Sequence, residues 1–241
     1  MKNNYDFWKN WKDKTPIEKE AIKSVEKARD LIIKSIPEKE LVAIYIKGSF
    51  ARKEMKKGSD VDVVPIVTKN RYEGDIFEVN SFDVYPSIVV PLSLWELKHN
   101  KLNTKSDHQV DLRAKPDILL RKLSDCRLIY GTPLNPKEFK IRTNAQVLKD
   151  EIEVLKKGYI PYFEEGEIPF EPLLKEVFWL TEIELINSGK RFQSSFEGIK
   201  KAVENKSHIV HLAYKLRKKK TITKFDERAF VRLLMEYLKK C

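Results

Sequence analysis

Residues 44–67, IYIKGSFARKEMKKGSDVDVVPIV, constrain this chain more than any other stretch. An apolar, β-branched run ends in Gly48-Ser49, and ten residues later Asp60-x-Asp62 opens a second such run. Two buried strands joined by a polar loop are predicted. Gly48 has no Cβ, so the backbone there can pass close to a ligand. Ser49 adds a hydroxyl and an amide donor. Phe50 to Lys56 is predicted as a short helix whose N-terminal N–H groups and positive dipole end face phosphate. Arg52, one turn in, offers a planar fork to the same phosphates, with Lys53 as a weaker candidate.

Asp60 and Asp62 are two apart on a strand and point to one face, while Val61 and Val63 point into the core. Two adjacent carboxylates repel unless a cation sits between them, and hard oxygen ligands suit magnesium. IFEV (76–79) and FDVYPSIV (82–89) are predicted as a hairpin around Asn80-Ser81. In that register Phe82 and Val84 face one way, and Asp83 and Tyr85 the other. If the strands are neighbours, Asp60, Asp62 and Asp83 converge as a site for two Mg2+ ions, which activate a hydroxyl and steady a leaving pyrophosphate. Gly-Ser alone is more often a turn, and Asp-x-Asp alone a solvated strand end. Their spacing between two hydrophobic strands is what carries the reading.

GSFARKEMKKGSDVD resembles the signature of the DNA polymerase β-like nucleotidyltransferase superfamily, which includes aminoglycoside nucleotidyltransferases, tRNA CCA-adding enzymes, poly(A) polymerases and minimal antitoxins. The resemblance covers about 135 residues. It implies an α+β fold with a mixed β-sheet flanked by helices, and an adenylyltransferase-like enzyme using ATP and Mg2+. By position, Gly48 and Ser49 hold the triphosphate and Arg52 contacts it. Asp60 and Asp62 bind metal, and Asp83 is the third carboxylate, acting as metal ligand or base. CRLIYG (126–131) is similar to the strand that closes this domain in small antibiotic-modifying members.

Elsewhere the pattern sorts into two halves. Thr15-Pro16 with Glu18 marks a helix start, and Ala21, Val25, Ala28 and Ile32 recur on one face. LVAIYI (41–46) is a buried strand, and Pro65 suggests an edge or irregularity in the strand that follows. Helices are expected from Ser93 and over Pro116 to Leu123, with RLIY (127–130) a final strand. After Pro136 helical periodicity dominates, with helices near 137–157, 171–188, 193–205, 207–217 and 225–239 and a Pro-rich aromatic loop, GYIPYFEEGEIPFEP, between the first two. The expected division is a catalytic domain, 1–135, and an all-α helical-bundle domain, 136–241. The second half is similar in size and placement to the C-terminal domain of kanamycin nucleotidyltransferase-like proteins. In that family the acceptor lies between the domains and a carboxylate there can act as base; Glu176, Glu182 and Glu184 are the candidates. Glu164, Glu165 and Glu167, in the aromatic loop, are candidates to receive a cationic acceptor.

Hydrophobic residues make up 41% of the chain, enough for a core, and charged residues 34%. The net charge of +11 suits anionic partners, nucleotides and possible nucleic acid alike. The lysines are read as spread along the chain, with Arg217 to Lys220 a solvated connection. Cys126 and Cys241 are too few for a disulfide framework and suggest a reducing compartment. His99, His108, His208 and His211 lack zinc spacing. No apolar run approaches the ~20 residues of a membrane span, so a cytoplasmic protein is expected, with no membrane partner. The apolar helical half leaves an oligomer possible. The leading reading is transfer of a nucleoside monophosphate, AMP from ATP, to a small-molecule hydroxyl. Transfer to RNA or protein, or a non-catalytic antitoxin-like module, is the alternative.

Overall fold

The computed structural model describes residues 4–103 and 112–240; His108 and Cys241 lie outside them. The described residues form two compact units, 4–103 with 114–141 and 112–113 with 142–240. The first unit runs to Ile141, and the helical unit continues from Arg142.

The first unit begins with α1 (Pro16–Ser35), entered as the sequence requires. The Thr15 side chain accepts from the Glu18 N–H, and Glu18 returns a bond to the Thr15 N–H. Its apolar stripe, Ala21, Val25, Ala28 and Ile32, is fully buried. The stripe covers one face of a mixed sheet of β1 (Leu41–Lys47), β2 (Val61–Val67), β3 (Ser87–Val89), β4 (Leu92–Ser93) and β5 (Arg127–Gly131). The strand order is β3-β2-β1-β5, with β4 also on β2. β1 runs antiparallel to β2 and β5, and β2 runs parallel to β3 and β4. Strand alternation divides the core. Ile44, Ile46, Val61, Val63 and Val67 pack toward α1, while Ala43, Tyr45, Val64 and Ile66 pack with Leu97, Leu119, Leu120 and Cys126 on the other face. Leu97 lies on α3 (Leu94–His99), opened by a Ser93–Glu96 capping box; Leu119 and Leu120 lie on α4 (Asp117–Arg121).

One expectation is narrowed and another corrected. Pro65 is not on an edge, because β2 is interior; it stands where the parallel neighbour of β2 changes from β3, paired through Val63, to β4, paired from Ile66. The 76–79 strand is absent. Residues Glu73–Phe77 form α2, and Glu78–Ser81 form a 3-10 turn. Ile76 and Val79, three apart, are the buried residues of a helical turn, a spacing that a short apolar run shares with a strand. Asn80 stands in for the missing strand: its amide nitrogen donates to the Val89 carbonyl (2.9 Å) and its amide oxygen accepts from the Val89 N–H (2.8 Å).

The second unit is helical: α5 (Asn144–Val154), α6 (Ile160–Glu164), α7 (Phe170–Asn187), α8 (Phe196–Ala202), α9 (Ile209–Arg217) and α10 (Lys224–Leu238). Leu155, Leu173, Leu174, Val177, Val210, Ala213, Phe230 and Leu234 fill its core. The predicted loop at 158–172 is mostly helix. A π-turn, Leu155–Tyr159, links α5 to α6, and Pro161 occupies the first turn of α6. A wider turn before proline relieves its clash with the preceding carbonyls. Phe163 packs on Phe170 (5.4 Å between ring centres) and Phe170 on Phe230 (5.4 Å), so the aromatics are core packing. Glu164, Glu165 and Glu167 are exposed at the end of α6.

Candidate active site

The C-terminal end of β1 and the N-terminal end of β2 meet because the strands are antiparallel, with Lys47 in register with Asp62. Gly48 follows Lys47 at φ +82, a conformation that favours glycine. A Cβ added there would lie 3.2 Å from the Asp62 carboxylate. The carboxylate thus stands where a side chain at position 48 would begin, and a larger residue would crowd it. Asp62 is half-buried and Asp60, just before the strand, is exposed. Asp62 points away from α1, since Val61 and Val63 on either side pack toward it.

The loop after Ser49 is one turn, not the predicted helix to Lys56. The Ser49 carbonyl accepts from the Glu54 N–H (2.8 Å), and the Phe50 carbonyl from the Lys53 N–H (3.1 Å). Lys53 adopts φ +58. These paired bonds and one left-handed residue form a Schellman motif, which ends helices. Arg52 is exposed and paired with Glu54 at 2.9 Å. Such a surface pair is worth roughly 0–1 kcal/mol, so Arg52 can exchange it for a phosphate at little cost.

The sequence reading missed what holds this loop. Phe50 is fully buried against Phe7 (5.7 Å between ring centres), Trp8 (5.9 Å) and Trp11 (5.1 Å). The Lys53 ammonium donates to the Lys12 carbonyl (2.6 Å). The N-terminal segment is fixed to α1 by Arg29, which donates to Asp6 at 2.5 Å. Burial pushes the Asp6 carboxyl up, but the hydrogen bonds from Lys9 and Arg29 outweigh it and hold the group below its usual range. The one sequence signal was the trio Phe7, Trp8 and Trp11 in a polar stretch.

Asp83 is not where the hairpin reading put it. It lies in a bend at φ 52, exposed, four residues before β3. Lys27 of α1 donates to its carbonyl (2.9 Å), and Ser24 of α1 hydrogen-bonds the Val84 carbonyl and Ser87 Oγ (2.6 Å). These bonds tie the segment to the α1 side of the sheet, whereas Asp62 faces the other. The residue in register with Asp62 on β3 is Ile88, 41% exposed. Among the described residues no group of three His, Cys, Asp or Glu is gathered for a metal, so the pair Asp60 and Asp62 remains. Cys126 lies on the Asp62 face; burial pushes its thiol up to about 11, Lys47 acts against this, and Asp125 and Asp62 add to it. A thiol so poised is no nucleophile at neutral pH.

The candidate bases of the helical unit are internally bonded. Glu182 is buried and accepts from Ser194 Oγ (2.8 Å). Glu184 contacts His208 Nε2 (3.0 Å) and the Tyr237 hydroxyl. Glu176 is raised well above the carboxylate range, first by desolvation, then by its hydrogen bond with Glu151 and that group's charge. Glu151 in turn accepts from the Trp179 indole N–H (3.0 Å).

Residues 29–145 match the nucleotidyltransferase domain family. The fold is similar to that of spectinomycin adenyltransferase AAD(9) from Enterococcus faecialis, solved with ATP and spectinomycin. The TM-score is 0.58 at 12% identity, over 90% of this chain and 98% of that one. No curated protein matches the sequence. No helix among the described residues is long and apolar enough to cross a membrane.

Proposed function

Residues 29–145 match the nucleotidyltransferase domain family, and the fold is similar to that of an adenyltransferase; on these grounds we propose that the chain is an adenylyltransferase-like enzyme that moves AMP from ATP to a hydroxyl of a small-molecule acceptor with magnesium. The observation that carries this reading is that a Cβ at Gly48 would lie 3.2 Å from the Asp62 carboxylate, which supports a phosphate loop placed beside a metal-binding pair at one end of the sheet. Asp60 and Asp62 fit a hard divalent cation in donor chemistry and by lying two residues apart at the start of β2. Magnesium, when bound, neutralises charge on the reacting phosphates.

The chain's own residues bind and orient. The Gly48 backbone and the Ser49 amide and hydroxyl hold the triphosphate, and Arg52 leaves Glu54 for its oxygens. The acceptor oxygen forms a bond to the α-phosphorus as the α–β bridging bond breaks. Pyrophosphate leaves with the electron pair, and the hydroxyl proton passes to solvent. The rate comes from alignment and charge complementarity. Spectinomycin, present in the similar structure, sets the first acceptors to try: aminocyclitols and aminoglycosides.

The test supplies α-labelled ATP, CTP, GTP and UTP with magnesium to that panel and follows label transfer and pyrophosphate. Asp60→Asn with Asp62→Asn is expected to abolish both. Full turnover by the double variant would sink the proposal.

A further inference from the structure

The net charge is not spread along the chain. Residues 190–220 hold ten Lys or Arg against two Asp or Glu, a net +8. The remaining 210 residues hold 37 against 34, a net +3. Most of the chain's charge therefore belongs to α8, α9 and their flanking turns.

The turn that leads into α8 is tightly built: a Cβ at Gly198 would strike the Gln193 carbonyl at 2.3 Å, and Ser195 caps the helix by accepting from the Gly198 N–H. Four of the ten cations meet carboxylates: Lys190 with Glu204, Lys201 with Glu197, Arg217 with Glu171 and Lys219 with Asp226. Among the described residues, Arg191, Lys200, Lys206, Lys215, Lys218 and Lys220 do not. Two of these flank one ring: the ammonium groups of Lys200 and Lys218 stand 5.6 and 4.8 Å from the centre of Tyr214. Beside them the Arg217 guanidinium lies 4.2 Å over Phe196, which is 40% exposed.

Like charges crowded on neighbouring helices repel, and a polyanion relieves them while releasing its own counterions. Rings interleaved with cations suit a chain that carries bases as well as phosphates. We propose that the α8–α9 face binds nucleic acid, through its phosphates and without base specificity. This surface belongs to the helical unit, and the proposal stands whether or not the acceptor is a small molecule.

The experiment uses the full chain and fluorescein-labelled rU20, dT20 and a 20-base-pair duplex, followed by anisotropy from 50 to 300 mM salt. Lys200→Glu, Lys218→Glu and Lys220→Glu together are expected to weaken binding by roughly tenfold or more at 100 mM salt. They should also lower the salt slope by about two, at about 0.7 per single-strand phosphate contact. A control with the same charge change in the first unit, Lys19→Glu, Lys34→Glu and Lys39→Glu, is expected to stay within about twofold. Circular dichroism checks that each variant is folded, and a Lys→Gln triple gives an intermediate loss if charge is the cause. Equal weakening by patch and control variants, or no binding of any probe at 50 mM salt, overturns the proposal. Preference for phosphatidylserine vesicles over all three nucleic acids would make the face a membrane contact and overturn it too.

Discussion

Gly48 is the residue on which the site turns. Its φ of +82 costs a residue with a Cβ roughly 1–2 kcal/mol, and that Cβ would also lie 3.2 Å from the Asp62 carboxylate. Gly48→Ala is therefore expected to lower nucleotidyl transfer on the order of 100-fold through displacement of Asp62. The thermal midpoint should fall only slightly. Steady-state kinetics beside calorimetry check the split, and an unchanged rate would separate the glycine from catalysis. At the same scale the sequence was most informative: Gly48, Ser49, Asp60 and Asp62 have a spacing that fixes their neighbours. Asp83 was misplaced because its strand rested on alternation in a short run. The hydroxyl of Ser24, more than fifty residues away, ties that segment to α1.

Among elements, the turn after Ser49 stays ordered because an aromatic clasp holds it from outside. Phe50 is its buried anchor, and the short N-terminal 3-10 turn, Phe7–Asn10, with Trp11 is the other jaw. Phe50→Ala is expected to cost about 3–5 kcal/mol of stability. It should also raise the KM for ATP while leaving the acceptor KM near its original value. A denaturant titration and initial rates measure the two effects; equal rises in both KM values would refute the clasp. Such a contact is not periodic, which is why α1, β1, β2 and β5 were legible and the clasp was not. The region 158–164 was unreadable for another reason: Gly158 and Pro161 signal a break, yet a π-turn carries the helix through both.

Across the whole molecule, two ionisable groups bend the stability curve in opposite directions. The Asp6 carboxyl is held below its usual range, so its contribution is full at neutral pH and is lost as pH falls through its folded-state value. Glu176 is raised, so the folded chain binds a proton that the unfolded chain has released; stability falls as pH rises past the ordinary carboxylate range. Glu176→Gln is expected to raise the thermal midpoint at pH 7–8 and to change little near pH 4, where the glutamic acid is protonated in both states. Scans over that interval check it, and a uniform shift at every pH would contradict the assignment. The pairing of Asn80 with the Val89 backbone has a consequence at the same scale. It occupies a donor and an acceptor position on the β3 edge that another chain would otherwise use, so this edge is a poorer template for intermolecular growth. A single side-chain amide thereby guards the β3 border against strand pairing with another chain.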